Sequence, residues 1–334
     1  MKKFKVNIII LICVSLFVMY FIMKDNFNEI IDNLLNANIL YLLLALLLMI
    51  LSVLFQSFSM HLYLKEIDPN YKFKDTFILM FSALFFNAIT PFSSGGQPFQ
   101  VYLLNKQGIN VAESTNALLQ NFFSYQLGLI SLGTIAIVIN HFLNIIPNTS
   151  LLKHIVIIGF IVNVLVLGLI FYLGKAKKLN TKLFNKILNF IFHFKFIKRR
   201  EELKEKASKK IDEFYKTNTY FKKNKSILLK SFLFNFLSLV LLYIIPMFIY
   251  YSIKVYNINI IESIVCASYT YFVGSFVPIP GGTGGLEYAF IEFFRLFASS
   301  AVIYTSMILW RFITYYLSML LGAASLIFVK KKVE

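Results

Sequence analysis

VPIPGGTGGLE, residues 277–287, interrupts an apolar region that runs from about 262 to 298. Two prolines and four glycines in eleven residues rule out a continuous helix there, since proline removes a backbone donor and glycine favours turns. What makes the break informative is its surroundings. The chain of 334 residues is 58% hydrophobic and only 15% charged, against about 25% charged in a soluble domain. That deficit of solvated surface points to lipid as the main solvent. A bilayer-crossing helix needs about 20 mainly apolar residues. Six such runs are readable, at about 6–23, 39–62, 114–140, 151–173, 227–253 and 301–328. A second interrupted region, 76–105, carries ITPFSSGGQPFQ at 89–100. Irregular backbone cannot face hydrocarbon and must be buried in protein or line a wet cavity.

Charge sets the topology. Lys2, Lys3 and Lys5 precede the first run and keep residue 1 inside. That run is long for a signal peptide, and Lys24 and Asp25 follow it where a small-residue cleavage site would stand, so it reads as a retained span. Residues 174–226 hold 17 Lys and Arg against 5 acids, which makes this loop cytoplasmic. Counting from these anchors, both ends of 76–105 fall inside and both ends of 262–298 fall outside. Each region therefore crosses an even number of times, and with such short arms each reads as a re-entrant hairpin. Ordinary kinked helices with surface turns are the simpler alternative. The expected fold is an all-α polytopic membrane protein of about six full spans and two re-entrant hairpins, eight apolar segments in an inverted repeat. It forms one integral membrane domain, 1–334, with a first half at about 39–140, a basic loop at about 174–226 and a second half at about 227–328. Both termini are expected in the cytoplasm. Paired Gly/Pro breaks in inverted halves point to a transport site near the midplane.

The candidate site follows from the two breaks. Gly281, Gly282, Gly284 and Gly285 precede a helix starting near Leu286, a geometry that lets amides converge on a phosphate or carboxylate; glycines that merely permit a tight turn would look the same. The absence of a following Lys-Ser/Thr excludes a nucleotide P-loop. The first break supplies Ser93, Ser94, Gly95, Gly96, Gln97 and Gln100, with Asn87, Gln120, Asn121 and Gln126 nearby. Arg311 lies deep in the last span, at a depth that costs about 2.5–3.5 kcal/mol on insertion scales. It should face the interior and pair with Glu287, with an anionic ligand, or with both. Glu292 and Arg295 have the spacing of a helical ion pair. The basic loop, with apolar residues interleaved, reads as an amphipathic stretch on anionic head groups or as a docking site. Cys13 and Cys266 lie in apolar runs, and the histidines are scattered. No cofactor or metal is expected, and the net charge of +17 is loop charge of a membrane protein rather than a nucleic-acid surface.

Residues 89–109, ITPFSSGGQPFQVYLLNKQGI, and 277–287 resemble the flippase-like membrane region of the lysylphosphatidylglycerol synthases over nearly the whole chain. Members often carry an acid where this chain has Gln97. The resemblance implies the translocating half without the cytosolic synthase domain, which uses lysyl-tRNA; the chain ends at Glu334, shortly after the last span. The function expected is translocation of a phospholipid, phosphatidylglycerol or its aminoacylated form among them, or of another lipid-linked anionic head group, in a bacterial cytoplasmic membrane. The alternatives are a phosphatidylglycerol lysyltransferase and a non-transporting partner of a separate envelope enzyme.

Overall fold

The computed structural model describes residues 26–147, 151–175, 215, 224–274, 277 and 279–329. All regular structure among them is helical. The expected span 6–23, most of the basic loop 174–226 and Pro278 lie outside the described residues. A short helix, α1 (Phe27–Leu35), precedes a long one, α2 (Ile39–Ile67). The first hairpin follows as α3 (Phe73–Ala88), a tight turn at Pro91–Ser93 and α4 (Gly96–Lys106), and leads into α5 (Val111–Leu143) and α6 (Leu151–Lys175). The second half repeats the order. α7 (Lys225–Ser252) leads into α8 (Ile260–Gly274), a turn at Pro280–Gly282 and α9 (Gly285–Phe294). A last segment joins α10 (Ser300–Arg311), a π-helical stretch (Phe312–Leu317) and α11 (Ser318–Ser325).

The protein is a multi-pass membrane protein. Among the described residues, five helical segments, at 39–67, 111–143, 154–172, 225–252 and 300–328, are long and apolar enough to cross a bilayer. Their outward faces carry large apolar residues such as Leu43, Leu47, Ile161, Leu165 and Leu233. The hairpin arms are different in kind. With 16, 11, 15 and 10 residues, they reach about 15–24 Å at 1.5 Å per residue, short of the roughly 30 Å hydrocarbon core.

The two hairpins enter from opposite ends. At one end Leu64, Leu103, Leu104, Ile109, Ala117 and Ile227 form a common cluster, closed by Ile67, Tyr71 and Val329. This end gathers the start of α3, the end of α4 and the start of α7. At the other end the Asn38 amide donates to the Ser252 carbonyl at 2.7 Å, and Asn257 Nδ2 donates to the Phe297 carbonyl at 2.8 Å. The turns of the two hairpins pack directly against one another.

The packing pattern shows the inverted repeat independently of charge. Within each half the first long helix packs on the first hairpin arm, the arms on each other, and the second arm on the next helix. Across the halves, α3 packs on α11 as α8 packs on α5, while α2 packs on its counterpart α7. The α2–α7 seam is polar and antiparallel. Ser52 meets Ser238 at 2.9 Å and Ser59 meets Ser231 at 2.7 Å. Small hydroxyls let helices approach closely and bond where no water competes.

Gly322 marks the closest approach of α11 to α3. A Cβ there would meet the Phe81 carbonyl oxygen at 2.6 Å and the Phe85 amide nitrogen at 2.8 Å. Backbone cannot yield as a side chain can, so Gly322→Leu should cost about 1–3 kcal/mol through overpacking. Thermal unfolding in detergent should show a lowered midpoint for this variant. Gly168→Leu, where a Cβ would meet nothing within 4 Å, should leave the midpoint unchanged.

Candidate functional site

The two turns share one backbone plan. In the first, the Ser93 amide donates to the Thr90 carbonyl and the Ser94 amide to that of Pro91. In the second, Gly282 donates to Ile279 and Thr283 to Pro280. The hydroxyls match as well: Ser94 Oγ donates to the Pro91 carbonyl at 2.9 Å, and Thr283 Oγ1 to the Pro280 carbonyl at 2.8 Å. A following pair of glycines starts each second arm, so the repeated pattern is Pro-x-x-Ser/Thr-Gly-Gly. Both x positions are left-handed. Gly281 and Gly282 hold φ of 66° and 63°, while Phe92 and Ser93 hold 54° and 51°. L-residues pay about 1–2 kcal/mol each for that conformation, so the first turn is strained and the second is not.

The second turn is pinned by a buried ion pair. Arg311 Nε donates to Glu287 Oε1 at 2.6 Å, and Arg311 Nη2 donates to the Gly281 carbonyl at 2.9 Å. Both side chains are 5% exposed. Glu287 is the third residue of α9, and its Oε2 accepts the Gly284 amide at 2.7 Å. The carboxylate thus caps the N-terminus of its own helix, where negative charge is favoured. The guanidinium lies over the Tyr315 ring, 4.7 Å from its centroid. Tyr315 stands in the π-helical stretch, and its hydroxyl donates to the Ala88 carbonyl at the end of α3, 2.8 Å away. The same ring fills the space beside Gly281, where a Cβ would fall 2.2 Å from it. Tyr315 therefore touches Arg311, the second turn and the first hairpin at once.

Between the turns lies a cavity of about 450 Å³. Its wall takes Gln56 from α2, Asn121 and Tyr125 from α5, Asn235 from α7 and Arg311 and Thr314 from the last segment. These positions fall near the middle of the long helices, so the cavity sits at mid-height. Of the residues expected at the site, Ser93, Gln97, Gln100, Gly281 and Arg311 line it. Ser94, Gly95 and Gly96 instead shape the first turn: the Gly95 amide bonds Thr90 Oγ1 and the Gly96 amide bonds Asn87 Oδ1. Gly282, Gly284 and Gly285 shape the second, and Glu287 stands behind Arg311. The anion held by the glycine turn is the protein's own carboxylate; the charge that the wall offers a ligand is Arg311, whose Nη1 makes no hydrogen bond among the described residues.

Gln56 and Asn235 were not in the expected site. Each is the one carboxamide side chain in its long helix, and that was the available signal. Gln126, by contrast, is helix-to-helix glue, with its Nε2 bonded to Asn163 Oδ1 at 2.7 Å. Glu292 and Arg295 form their ion pair, at 3.0 Å, away from the cavity.

A buried charge without its partner is costly, about 3–5 kcal/mol. Arg311→Leu should therefore destabilise the folded protein strongly, and Glu287→Leu likewise. The double variant should recover most of that loss. Thermal unfolding of all four proteins in detergent gives the coupling; equal additive losses would contradict a direct pair.

Residues 8–322 match the model of the lysylphosphatidylglycerol synthase TM region, and the chain belongs to that family. It is also 26% identical to a UPF0104 membrane protein of Methanocaldococcus jannaschii, in an alignment covering all of this chain and 98% of the relative.

Proposed function

We propose that this member of the family moves a phospholipid, or another lipid-linked anionic head group, between bilayer leaflets through the cavity at the hairpin turns. The observation that carries this reading is a buried guanidinium on the wall of a polar cavity at mid-height, between two turns that enter from opposite ends. A head group crossing hydrocarbon unaided must shed its water around a charge. A cavity whose wall already offers Arg311, amides and hydroxyls replaces that water. The phosphate meets the free Nη1 edge of Arg311, while Glu287 holds the guanidinium in place. The acyl chains stay in lipid beside the exposed first turn, where Phe92 is 63% exposed.

The opposed entry of the hairpins supports alternating access. Lys65, Lys72, Lys74 and Lys106 lie at the end where the first hairpin opens, as do Lys225 and Lys230. Lysine enrichment favours the cytoplasmic side of a cell membrane, so the first hairpin opens inward and the second outward, with both termini inside. The first turn is the movable one, being strained and free of ion pairs, and the second is the fixed one.

Purified protein in liposomes with acyl-labelled anionic phospholipid tests this reading. Protein-dependent loss of leaflet asymmetry is expected, and its absence for every anionic lipid would sink the proposal. Arg311→Ala should abolish the movement. Arg311→Lys should restore less than a tenth of it, because an ammonium lacks the planar fork that reaches phosphate and carboxylate together. A well-folded Arg311→Leu protein with normal transport would remove Arg311 from the mechanism.

A further inference from the structure

Arg311 can meet only part of a phosphodiester. Its Nε and Nη2 are engaged by Glu287 and by the Gly281 carbonyl, so Nη1 alone is left to the cavity. A phosphodiester carries its charge on two non-bridging oxygens, and a single guanidinium nitrogen aligns with one of them. The other needs a second donor from the wall, because a charged acceptor that has left water unpaired is costly.

α5 carries a side chain of the right chemistry. Leu118, Asn121, Phe122 and Tyr125 follow the spacing of one helix face, and all four line the cavity. Asn121 is tied to the α2–α7 seam, its Oδ1 accepting from Ser59 Oγ at 2.6 Å. Tyr125 is not tied in this way. It lies deep in the bundle and yet keeps accessible surface. Its hydroxyl has no hydrogen-bond partner among the described residues, and it is not one of the sealed polar atoms that lack a partner. The hydroxyl therefore opens into the cavity. Buried tyrosine hydroxyls usually find a partner within the protein. Three others of this interior do: Tyr63 Oη meets Ser124 Oγ at 3.0 Å, Tyr250 donates to the Phe294 carbonyl at 3.0 Å, and Tyr315 donates to the Ala88 carbonyl at 2.8 Å.

Tyr125 and Arg311 belong to the same part of the wall. Tyr271, which also lines the cavity, is an electrostatic neighbour of both. Its ring is fixed by a stack on Tyr243, centroids 5.0 Å apart, and by an edge contact with Trp310 at 6.1 Å. No carboxylate lines the cavity among the described residues, so no fixed charge competes for the Tyr125 hydroxyl. Ser93 and Gln97 reach the cavity as well, but from the exposed first turn. Tyr125 stands on a full span and keeps its place when that turn moves. A hydroxyl donating to a charged oxygen makes a shorter and stronger bond than one donating to water.

We infer that Tyr125 is the second phosphate donor of the cavity: its hydroxyl donates to one non-bridging oxygen of the lipid phosphodiester while Arg311 Nη1 takes the other. This deepens the translocation reading and rests on it. The contact is made to the part that phospholipids share, so Tyr125 binds without choosing among head groups.

Tyr125→Phe removes the hydroxyl alone. Because that hydroxyl makes no internal bond, the unfolding midpoint of the full chain in detergent should stay where it is. Thermal shift with two soluble phosphodiesters, glycerophosphoglycerol and glycerophosphoinositol, then reads affinity. The variant should bind both about tenfold more weakly, the loss of one hydrogen bond to a charged group, and by the same factor for each. Tyr250→Phe, which breaks a buried internal bond, should do the reverse, lowering the midpoint and leaving both affinities unchanged. In liposomes, acyl-labelled phosphatidylglycerol should half-saturate the Tyr125→Phe protein at a correspondingly higher mole fraction. Unchanged affinities in Tyr125→Phe, a loss confined to one compound, a lowered midpoint without ligand, or no shift of the wild-type protein by either compound would each overturn the inference. An affinity loss as expected, with no lipid crossing in liposomes, would remove the translocation reading and leave the phosphate contact standing.

Discussion

Two short stretches of irregular backbone stand at mid-height among long helices, and their amides and carbonyls must be satisfied without bulk water. The rest of the structure answers that constraint. The second turn is satisfied by charge: Arg311 takes the Gly281 carbonyl while Glu287 takes the Gly284 amide, and the two neutralise each other. The first turn is satisfied by neutral side chains, with Thr90 and Asn87 receiving the Gly95 and Gly96 amides. Polar capping of this kind draws hydroxyls and amides into the interior, and a cavity lined by them is the consequence. A guanidinium keeps its charge even when buried, so the pair is an all-or-none feature whose loss exposes one uncompensated charge.

The two halves are alike in plan and unlike in chemistry. Glycine at both left-handed positions lets the second turn relax, and Tyr315 then fills the space that a side chain at Gly281 would need. Phe92 and Ser93 adopt the same backbone with side chains attached. Where Glu287 begins the second half's short helix, the first half has Pro98, which can neither pair with a cation nor donate an amide. One hairpin is therefore anchored and the other is held by weaker bonds around a strained bend. Tyr315 joins them through its hydroxyl bond to Ala88, so a displacement of one turn is felt at the other.

Much of this was legible in the chain. Apolar length marked the long helices, and charge bookkeeping separated full spans from hairpins because lysines cluster beside the ends that meet water. The depth of Arg311 required a partner, and the helix start after the glycines placed Glu287 within reach. The fate of the glycine amides was not legible: residue types alone cannot distinguish a turn that waits for phosphate from one capped by its own carboxylate. Nor were Gln56, Asn235 and Tyr315 expected at the site. Their role depends on how α2, α5, α7 and the π-helical stretch rotate against one another, which apolar periodicity leaves open when a helix is hydrophobic on every face. The inverted repeat was legible from the charges, but the turn pattern the two halves share was not, because Phe-Ser and Gly-Gly have little in common as residues, although they occupy equivalent left-handed positions.

A first turn that faces a water-accessible interior at membrane depth is open to thiol chemistry from water. In intact membrane vesicles carrying Cys13→Ser, with Cys266 left buried in the core, a membrane-impermeant thiol reagent should modify Ser93→Cys from one side of the bilayer. Ile161→Cys, 49% exposed on the lipid-facing side of α6, should remain unmodified under the same conditions. Labelling of both positions alike, or of neither, would contradict the account.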